Sequence, residues 1–317
     1  MKKLINCFIA LAALFIGTAC EHSLTPDSKG EAVVSLKVSV PQEAQTRAIA
    51  DGTNVDVLYY EVYDSQMSKR LAYGKVGKTA DKVFDLDLTL VQDQTYNFLF
   101  WAQVDGANYY NVNSLREVTA NYNKAVGNDE QRAAFFASEK FFVGKETLNK
   151  DVYLKRPFAQ LNFGTRTFKS SMAEDVVING SVISLSTVST KFDVATGVGS
   201  SRKEDLQDVV FTADGCPKYP STLTVNGKDY EYLSMNYFFV PGEESTVTVG
   251  AEFYTSVGLV THKIFSVRVA ENYRTNIVGD LLFNKADFNI YVDNDFVKKD
   301  DGSYDDKNYD SEGNPIR

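Results

Sequence analysis

The sequence predicts a mainly β protein of two tandem Greek-key sandwich domains, with a short helical excursion in the first. Three observations support this. Short runs alternate apolar and polar residues with a period of two, as half-buried strands do. The 317 residues include 21 Phe and 18 Tyr, and Val and Thr recur in short runs, which favours strands over helices. The runs do not alternate with long helical patterns, so a parallel βαβ fold is not expected.

The chain begins with the features of an export signal. Residues 1–3 carry two lysines and precede an apolar run at residues 4–16, which is too short to span a bilayer as a stable helix. Small residues then lead to Cys20, in a pattern that resembles a bacterial lipobox, whose cysteine is acylated before the signal is cut. We therefore expect a signal peptide at residues 1–19 and a lipidated linker at residues 20–30. Secretion without a lipid is the alternative.

The first predicted domain covers residues 31–164. It opens on a clean alternating strand with Val34, Leu36, Val38 and Val40 on one face, which Pro41 ends. Further strands are predicted at residues 55–63, 84–90, 96–104, 151–154 and 159–163. Residues 129–136 carry Glu, Gln, Arg and Ala, which favours a short helix. Four aromatic residues near this helix are expected in the core: Phe135, Phe136, Phe141 and Phe142. The boundary is placed near Gly164.

The second predicted domain covers residues 165–297 and contains a second set of short predicted strands. Its strands are expected at residues 176–188, 222–225, 230–240, 247–253, 265–269, 277–283 and 288–292. Asn226 and Gly227 predict a two-residue hairpin, because both positions of that turn need a positive φ. Residues 298–317 are rich in Asp and nearly free of apolar alternation, and we expect them to form an acidic flexible tail.

Charge and cysteine content exclude two classes of protein. The net charge of −9 disfavours nucleic-acid partners, because phosphate binding depends on clustered Lys and Arg. Cys7 leaves with the signal and Cys20 would carry lipid. Cys216 then has no internal partner, so the fold is not a disulfide scaffold.

The candidate chemical sites are sparse. His22 adjoins the lipid anchor, and His262 has no ligand or base partner at a useful spacing, so it is interpreted as a surface residue. Asp85 and Asp87 share a strand face, as glycosidase carboxylates could, but are interpreted as facing water. Residues 196–199 lack the full spacing of a phosphate loop, and residues 293–295 lack that of a calcium loop. We predict no catalytic residue, metal or cofactor.

Several stretches resemble the fimbrillin family, the type V pilins of oral and gut anaerobes. Arg47 and Ala48 follow the first strand, where that family is cut by an arginine-specific protease. Residues 155–165 (KRPFAQLNFGT) look like its domain-crossing segment, residues 128–136 (NDEQRAAFF) like its helical excursion, and residues 272–283 (NYRTNIVGDLLF) like its late strand. The resemblance implies two transthyretin-like sandwiches, lipid anchoring at the outer membrane, and a place in a fimbrium.

The resemblance also implies a mode of assembly. Cleavage after Arg47 would remove the strand that holds Val34, Leu36, Val38 and Val40, and a strand from another fimbrial subunit could fill the groove by β-strand addition. The chain departs from the family at its C-terminus. There the family has a donor strand, whereas this chain ends in the charged tail.

Two other functions are compatible with the sequence. One is a surface glycan-binding lipoprotein that is not processed, in which exposed aromatic residues stack on a host or other glycan: Tyr59, Tyr60, Trp101, Tyr109 and Tyr110. The other is a hydrolase, which the shortage of catalytic candidates disfavours.

Overall fold

The computed structural model describes residues 30–40, 52–79, 83–166, 177–218, 221–282, 288–293 and 307–310. Within these ranges the chain is mainly strand. The helices among the described residues are single 3-10 turns at Tyr122–Lys124, Glu130–Arg132 and Lys203–Asp205. The predicted mainly β class is therefore confirmed.

The first half of the chain forms two sheets that face each other. Its described strands are β1 (Glu31–Ser39), β2 (Val57–Tyr63), β3 (Arg70–Gly77), β4 (Val83–Val91), β5 (Gln94–Gln103), β6 (Tyr110–Asn111), β7 (Val118–Ala120), β8 (Ala134–Val143) and β9 (Leu148–Tyr153). One sheet has the order β4-β1-β9 and the other β3-β2-β5-β8. Both contribute to one buried cluster, which includes Val34, Phe84 and Phe100. This is the arrangement of a β-sandwich.

The second half contains one sheet of six described strands and one of four. Its described strands are β10 (Ala159–Thr165), β11 (Ile178–Ser189), β12 (Lys191–Asp193), β13 (Val198–Gly199), β14 (Leu206–Asp214), β15 (Thr222–Val225), β16 (Lys228–Phe238), β17 (Glu244–Thr255), β18 (Gly258–Ala270), β19 (Arg274–Gly279), β20 (Phe288–Asp293) and β21 (Lys307–Asp310). Their orders are β15-β16-β10-β19-β20-β21 and β14-β11-β17-β18. The Asn226–Gly227 hairpin is confirmed, with φ values of 49° and 69°.

The strand β10 belongs with the second half of the chain. It pairs antiparallel with β16 and parallel with β19, and the predicted boundary near Gly164 falls inside it. The chain passes between the two pairs of sheets at residues 154–158. The predicted boundary assigned most of β10 to the first domain. The strand pairs instead with β16, which lies more than 60 residues further along the chain.

The predicted helical excursion is wrong beyond a single turn. Asp129 caps the 3-10 turn Glu130–Arg132 by accepting from the backbone N–H of Gln131. The residues that follow form the ten-residue strand β8, which pairs with β5 along its whole length. Phe135 and Phe136 are buried as expected, whereas Phe142 points outward and is 61% exposed. Tertiary pairing here overrides local helix preference.

Part of the segment expected to be a flexible tail forms a strand. Lys307–Asp310 pairs antiparallel with β20, opposite residues Asn289 to Val292. It adds a further described strand to the edge of the larger sheet of the second half.

The two halves are joined by a shared sheet and a shared aromatic cluster. The sheet has the order β13-β12-β7-β6 and so combines strands from both halves. Beside it, the Trp101 ring lies 5.2 Å from Tyr110, 6.0 Å from Phe192 and 6.2 Å from Phe239. Phe136 packs edge-on against Phe192 at 4.7 Å. We call these five residues the junction cluster.

A buried carboxylate lies at the same junction. Lys155, in the segment that joins the halves, has its Nζ 3.1 Å from Oε1 of Glu271 and 4.8 Å from the centre of the Phe136 ring. Burial raises the pKa of Glu271 from its ordinary 4.5 to about 7; Lys155 opposes this shift, and Glu243 adds to it.

This carboxylate should make the protein less stable as the pH rises from about 4.5 to 7. Across that window the folded state keeps a proton that the unfolded state has released, so stability falls until Glu271 is ionised in both states. The Glu271→Gln variant should therefore be about 2–3 kcal/mol more stable than the natural chain at pH 8 and nearly equal to it at pH 4.5. Urea unfolding at both pH values measures this difference. The exposed Glu146→Gln is the matched control, and identical pH slopes for Glu271→Gln and the natural chain would refute the assignment.

Candidate strand-exchange groove

The strand β1 is the middle strand of its sheet. It pairs antiparallel with β4 from Glu31↔Val91 to Ser39↔Val83, and parallel with β9 from Val34↔Leu148 to Ser39↔Tyr153. Further bonds hold its ends. The backbone N–H of Gln92 donates to the carbonyl of Gly30 at 2.8 Å, and that of Leu154 donates to Ser39 at 2.9 Å. Without β1, the facing edges of β4 and β9 would lose their hydrogen-bond partners.

The inward face of β1 is a row of aliphatic side chains. Val34 and Val38 are 0% exposed, Leu36 1% and Val40 5%. They lie in the buried cluster between the two sheets of the first half, with aromatic side chains from β4, β5 and β8. The alternation in the sequence predicted this face, because one side of the strand meets the core and the other meets water.

The outward face of β1 is polar and lies between acidic neighbours. Lys37 stands opposite Asp85 of β4 and Asp151 of β9, and Ser35 stands opposite Asp87 and Asn149. These side chains line a shallow groove of about 550 Å³ on the outer face of the sheet. Any strand that replaces β1 therefore meets carboxylates on both sides at the Lys37 position.

The predicted lipidation and processing residues lie outside the described residues. These are Cys20, Arg47 and Ala48. The described residues that flank the segment 41–51 lie close together, since a Cβ built on Gly52 would be 3.3 Å from Cγ2 of Val40. The segment with Arg47 thus joins two neighbouring points of the sandwich.

The candidate chemical residues that the structure describes lie in three different environments. The interpretation of His262 as a surface residue is wrong: it is 8% exposed in β18, and its Nε2 lies 2.6 Å from the carbonyl oxygen of Leu281. Burial raises the pKa of the Cys216 thiol to about 11, which leaves it protonated at neutral pH and a weak nucleophile. Asp85 and Asp87 are exposed, as the sequence indicated.

Two of the aromatic residues proposed as a glycan surface are too buried to contact a ligand. Trp101 is 0% exposed and Tyr110 9% exposed, and both belong to the junction cluster. Tyr59 and Tyr60 are half-buried. Tyr73, which is 59% exposed, was missed as a candidate because its strand β3 was not predicted.

The described residues contain no helix that is both long and apolar enough to cross a membrane. Among the same residues, no three or more His, Cys, Asp or Glu side chains come together as metal ligands would.

The chain belongs to a protein family of unknown function, DUF6562, whose model matches residues 26–313. No curated protein matches the sequence.

Solved structures show the same fold at low sequence identity. A candidate adhesin from Bacteroides thetaiotaomicron is 11% identical with a TM-score of 0.54, covering 84% of this chain and 97% of its own. A candidate cell adhesion protein from Bacteroides ovatus is 12% identical with a TM-score of 0.50, covering 83% and 96%. The tip fimbrial protein Mfa3 from Porphyromonas gingivalis is 12% identical with a TM-score of 0.48, covering 83% and 99%. The first two structures confirm a likeness of fold to proteins described as candidates for adhesion.

Proposed function

We propose that this protein is a subunit or accessory protein of a surface fimbria, and that it assembles by strand exchange after β1 is removed. The observation that carries the proposal is the position of β1. It is the middle strand of its sheet, buried on its inward face, and the chain after it contains an arginine at a site that resembles a processing site. The two halves would then be the tandem transthyretin-like domains of that family.

The energetics favour refilling of the groove. Removing Val34, Leu36, Val38 and Val40 forfeits about 6–10 kcal/mol of apolar burial, at roughly 1.5–3 kcal/mol for each side chain. The loss is comparable to the whole stability of many domains. Backbone groups of β4 and β9 would also lose their partners, and an unpaired edge of this kind is a template for another strand.

The proposed location is the outer surface of the cell. Cys20 would carry the lipid that anchors the precursor to the outer membrane, and acyl chains hold a protein there without a spanning helix. The two solved structures with TM-scores of 0.50 and above are described as candidates for adhesion, which supports a surface role.

The test is the N-terminus of the protein in its native cells. Intact-mass and N-terminal analysis should find a start at Ala48 in material sheared from the surface, and a lipid-modified start at Cys20 in the membrane precursor. An Arg47→Ala variant should remain at Cys20 and be absent from the sheared fraction. A chain that starts at Cys20 in both fractions would refute processing as a requirement and favour an unprocessed glycan-binding lipoprotein.

A further inference from the structure

We infer that the first sandwich carries a binding groove for a neutral oligosaccharide, which wraps around the edge strand β3, with Tyr59 and Tyr73 on one face of the sheet and Tyr60 on the other. The groove has a volume of about 660 Å³, and β2, β3, β4 and the loop at residues 112–115 line it. Among the described strands, β3 and β4 are the edge strands of their two sheets, so the groove follows the open side of the sandwich. The inference names a ligand class for the proposed surface protein.

A chain of interactions that ends at a buried carboxylate holds the exposed Tyr73 in place. The guanidinium of Arg70 lies 4.3 Å from the centre of the Tyr73 ring, and its Nη1 donates to Oε1 of Glu61 at 2.6 Å. Glu61 is 3% exposed and also accepts from the Tyr63 hydroxyl at 2.8 Å. Burial, together with this hydrogen bond, raises the pKa of Tyr63 to about 12, so the hydroxyl stays a donor.

This arrangement fixes an aromatic face toward solvent. A surface tyrosine normally samples several rotamers, and ordering it on binding costs free energy. Here Arg70 covers one face of the Tyr73 ring, while the side chain stays 59% exposed. The open face is therefore organised before a ligand arrives, as in other sites that depend on rigid aromatic side chains.

A glycine lets a second tyrosine extend across the edge strand. Gly74 of β3 stands opposite Tyr60 of β2. A Cβ built on Gly74 would lie 2.7 Å from the Tyr60 hydroxyl and 2.9 Å from two carbons of its ring. A glycine inside a strand often marks such a close approach. Any larger residue at position 74 would displace the Tyr60 ring from the groove.

The charges of the groove select the ligand class. Three carboxylates, Glu61, Asp85 and Asp87, line it against two cations, Arg70 and Lys75, which leaves one net negative charge. Arg70 is paired with Glu61, and Lys75 has its Nζ 3.8 Å from Asp105. Anionic ligands are thus disfavoured, whereas sugar hydroxyls can donate to the exposed carboxylates, and the apolar face of a pyranose can stack on tyrosine.

The groove does not depend on the strand proposed for exchange. No residue of β1 is among those that line it. Oligosaccharide binding should therefore be the same in the unprocessed and in the assembled protein. Its failure would leave the strand-exchange proposal intact, and the failure of strand exchange would leave this inference intact.

The experiment is a binding titration of the full exported chain, with Arg47→Ala to prevent processing. The probes are three neutral hexasaccharides that differ in linkage: maltohexaose, cellohexaose and α1,6-mannohexaose. We expect calorimetry to detect at least one. Tyr73→Ala should weaken that binding at least tenfold, and Gly74→Ala should do the same by displacing Tyr60. Tyr73→Phe should stay within about threefold, because it keeps the ring.

Tyr153→Ala is the matched control, because Tyr153 is an exposed tyrosine of the same half and lies outside the groove. It should leave affinity unchanged. Equal unfolding midpoints for all variants would exclude misfolding as the cause of lost binding. Absence of binding to all three hexasaccharides, binding that Tyr73→Ala does not weaken, or equal binding of a Lys-rich peptide at the same groove would overturn the inference.

Discussion

A chain that begins at Ala48 is expected to lose the stability of its first half and to regain it when a peptide of residues 30–41 is added. The truncation removes the buried side chains of Val34, Leu36, Val38 and Val40 and with them about 6–10 kcal/mol of apolar burial. It also leaves β4 and β9 without a strand between them. The truncated chain should therefore oligomerise or unfold in its first half, as size-exclusion chromatography and urea unfolding would show.

Two variants of this peptide test whether the groove binds the β1 sequence specifically and not any hydrophobic peptide. Leu36→Asp places a charge at a position that is 1% exposed, and it should weaken binding more than 100-fold because a buried, unpaired charge is costly. Val33→Asp makes the same kind of change on the outward face, where Val33 is 42% exposed, and should have little effect. Fluorescence anisotropy measures both affinities. Equal binding of the two peptides would contradict the proposed groove.

The second large effect is expected at the junction cluster. Trp101→Ala should lower the free energy of unfolding by about 3–5 kcal/mol, because the ring is fully buried and its loss leaves a cavity. Its Nε1 also donates to Oε1 of Gln103 at 2.9 Å, so that acceptor would lose its donor. Since the cluster contains residues from both halves, the loss should destabilise both together.

Thermal and urea unfolding check this result. Tyr153→Ala is the control, because that side chain is 73% exposed and its loss should change stability by less than about 0.5 kcal/mol. Trp101→Ala should leave hexasaccharide affinity nearly unchanged while the protein is folded. Lost sugar binding with unchanged stability would mean that Trp101 is a binding residue and that its burial is not as described.

Strands with one buried and one solvent-exposed face were the easiest to predict. In β1 and β4 the apolar and polar residues alternate, and the buried positions are those that the pattern indicates. The hairpin at Asn226 and Gly227 followed from backbone sterics alone. These features depend on neighbours in the sequence, so one sequence is sufficient to predict them.

Features that depend on distant partners could not be predicted. Gln160 and Asn162 alternate with apolar residues in β10 as solvent-facing residues would, yet both are 0% exposed. Asn162 accepts from the Tyr232 hydroxyl at 2.6 Å and donates to Asn276 at 2.7 Å. Those partners lie 70 and 114 residues away, so local pattern carries no information about them.

The candidate strand-exchange groove was also predictable only in part from the sequence. The buried face of β1 could be predicted residue by residue, because it depends on alternation. Its place between β4 and β9 could not, since its parallel partner β9 follows more than 100 residues later. The tyrosine groove was missed for the same reason, as it depends on the register of β2 against β3, and β3 was not predicted.

The most direct test of the account is a photo-cross-link from the edge of the groove in living cells. Asn149 of β9 is exposed and stands opposite Ser35 of β1, so a benzoylphenylalanine there lies beside the central strand. The same cross-linker at Val257, which is 64% exposed in the second half, is the control position. The account predicts a ladder of covalently joined subunits from position 149 that Arg47→Ala abolishes. Cross-links that stay within single subunits in both backgrounds would contradict strand exchange.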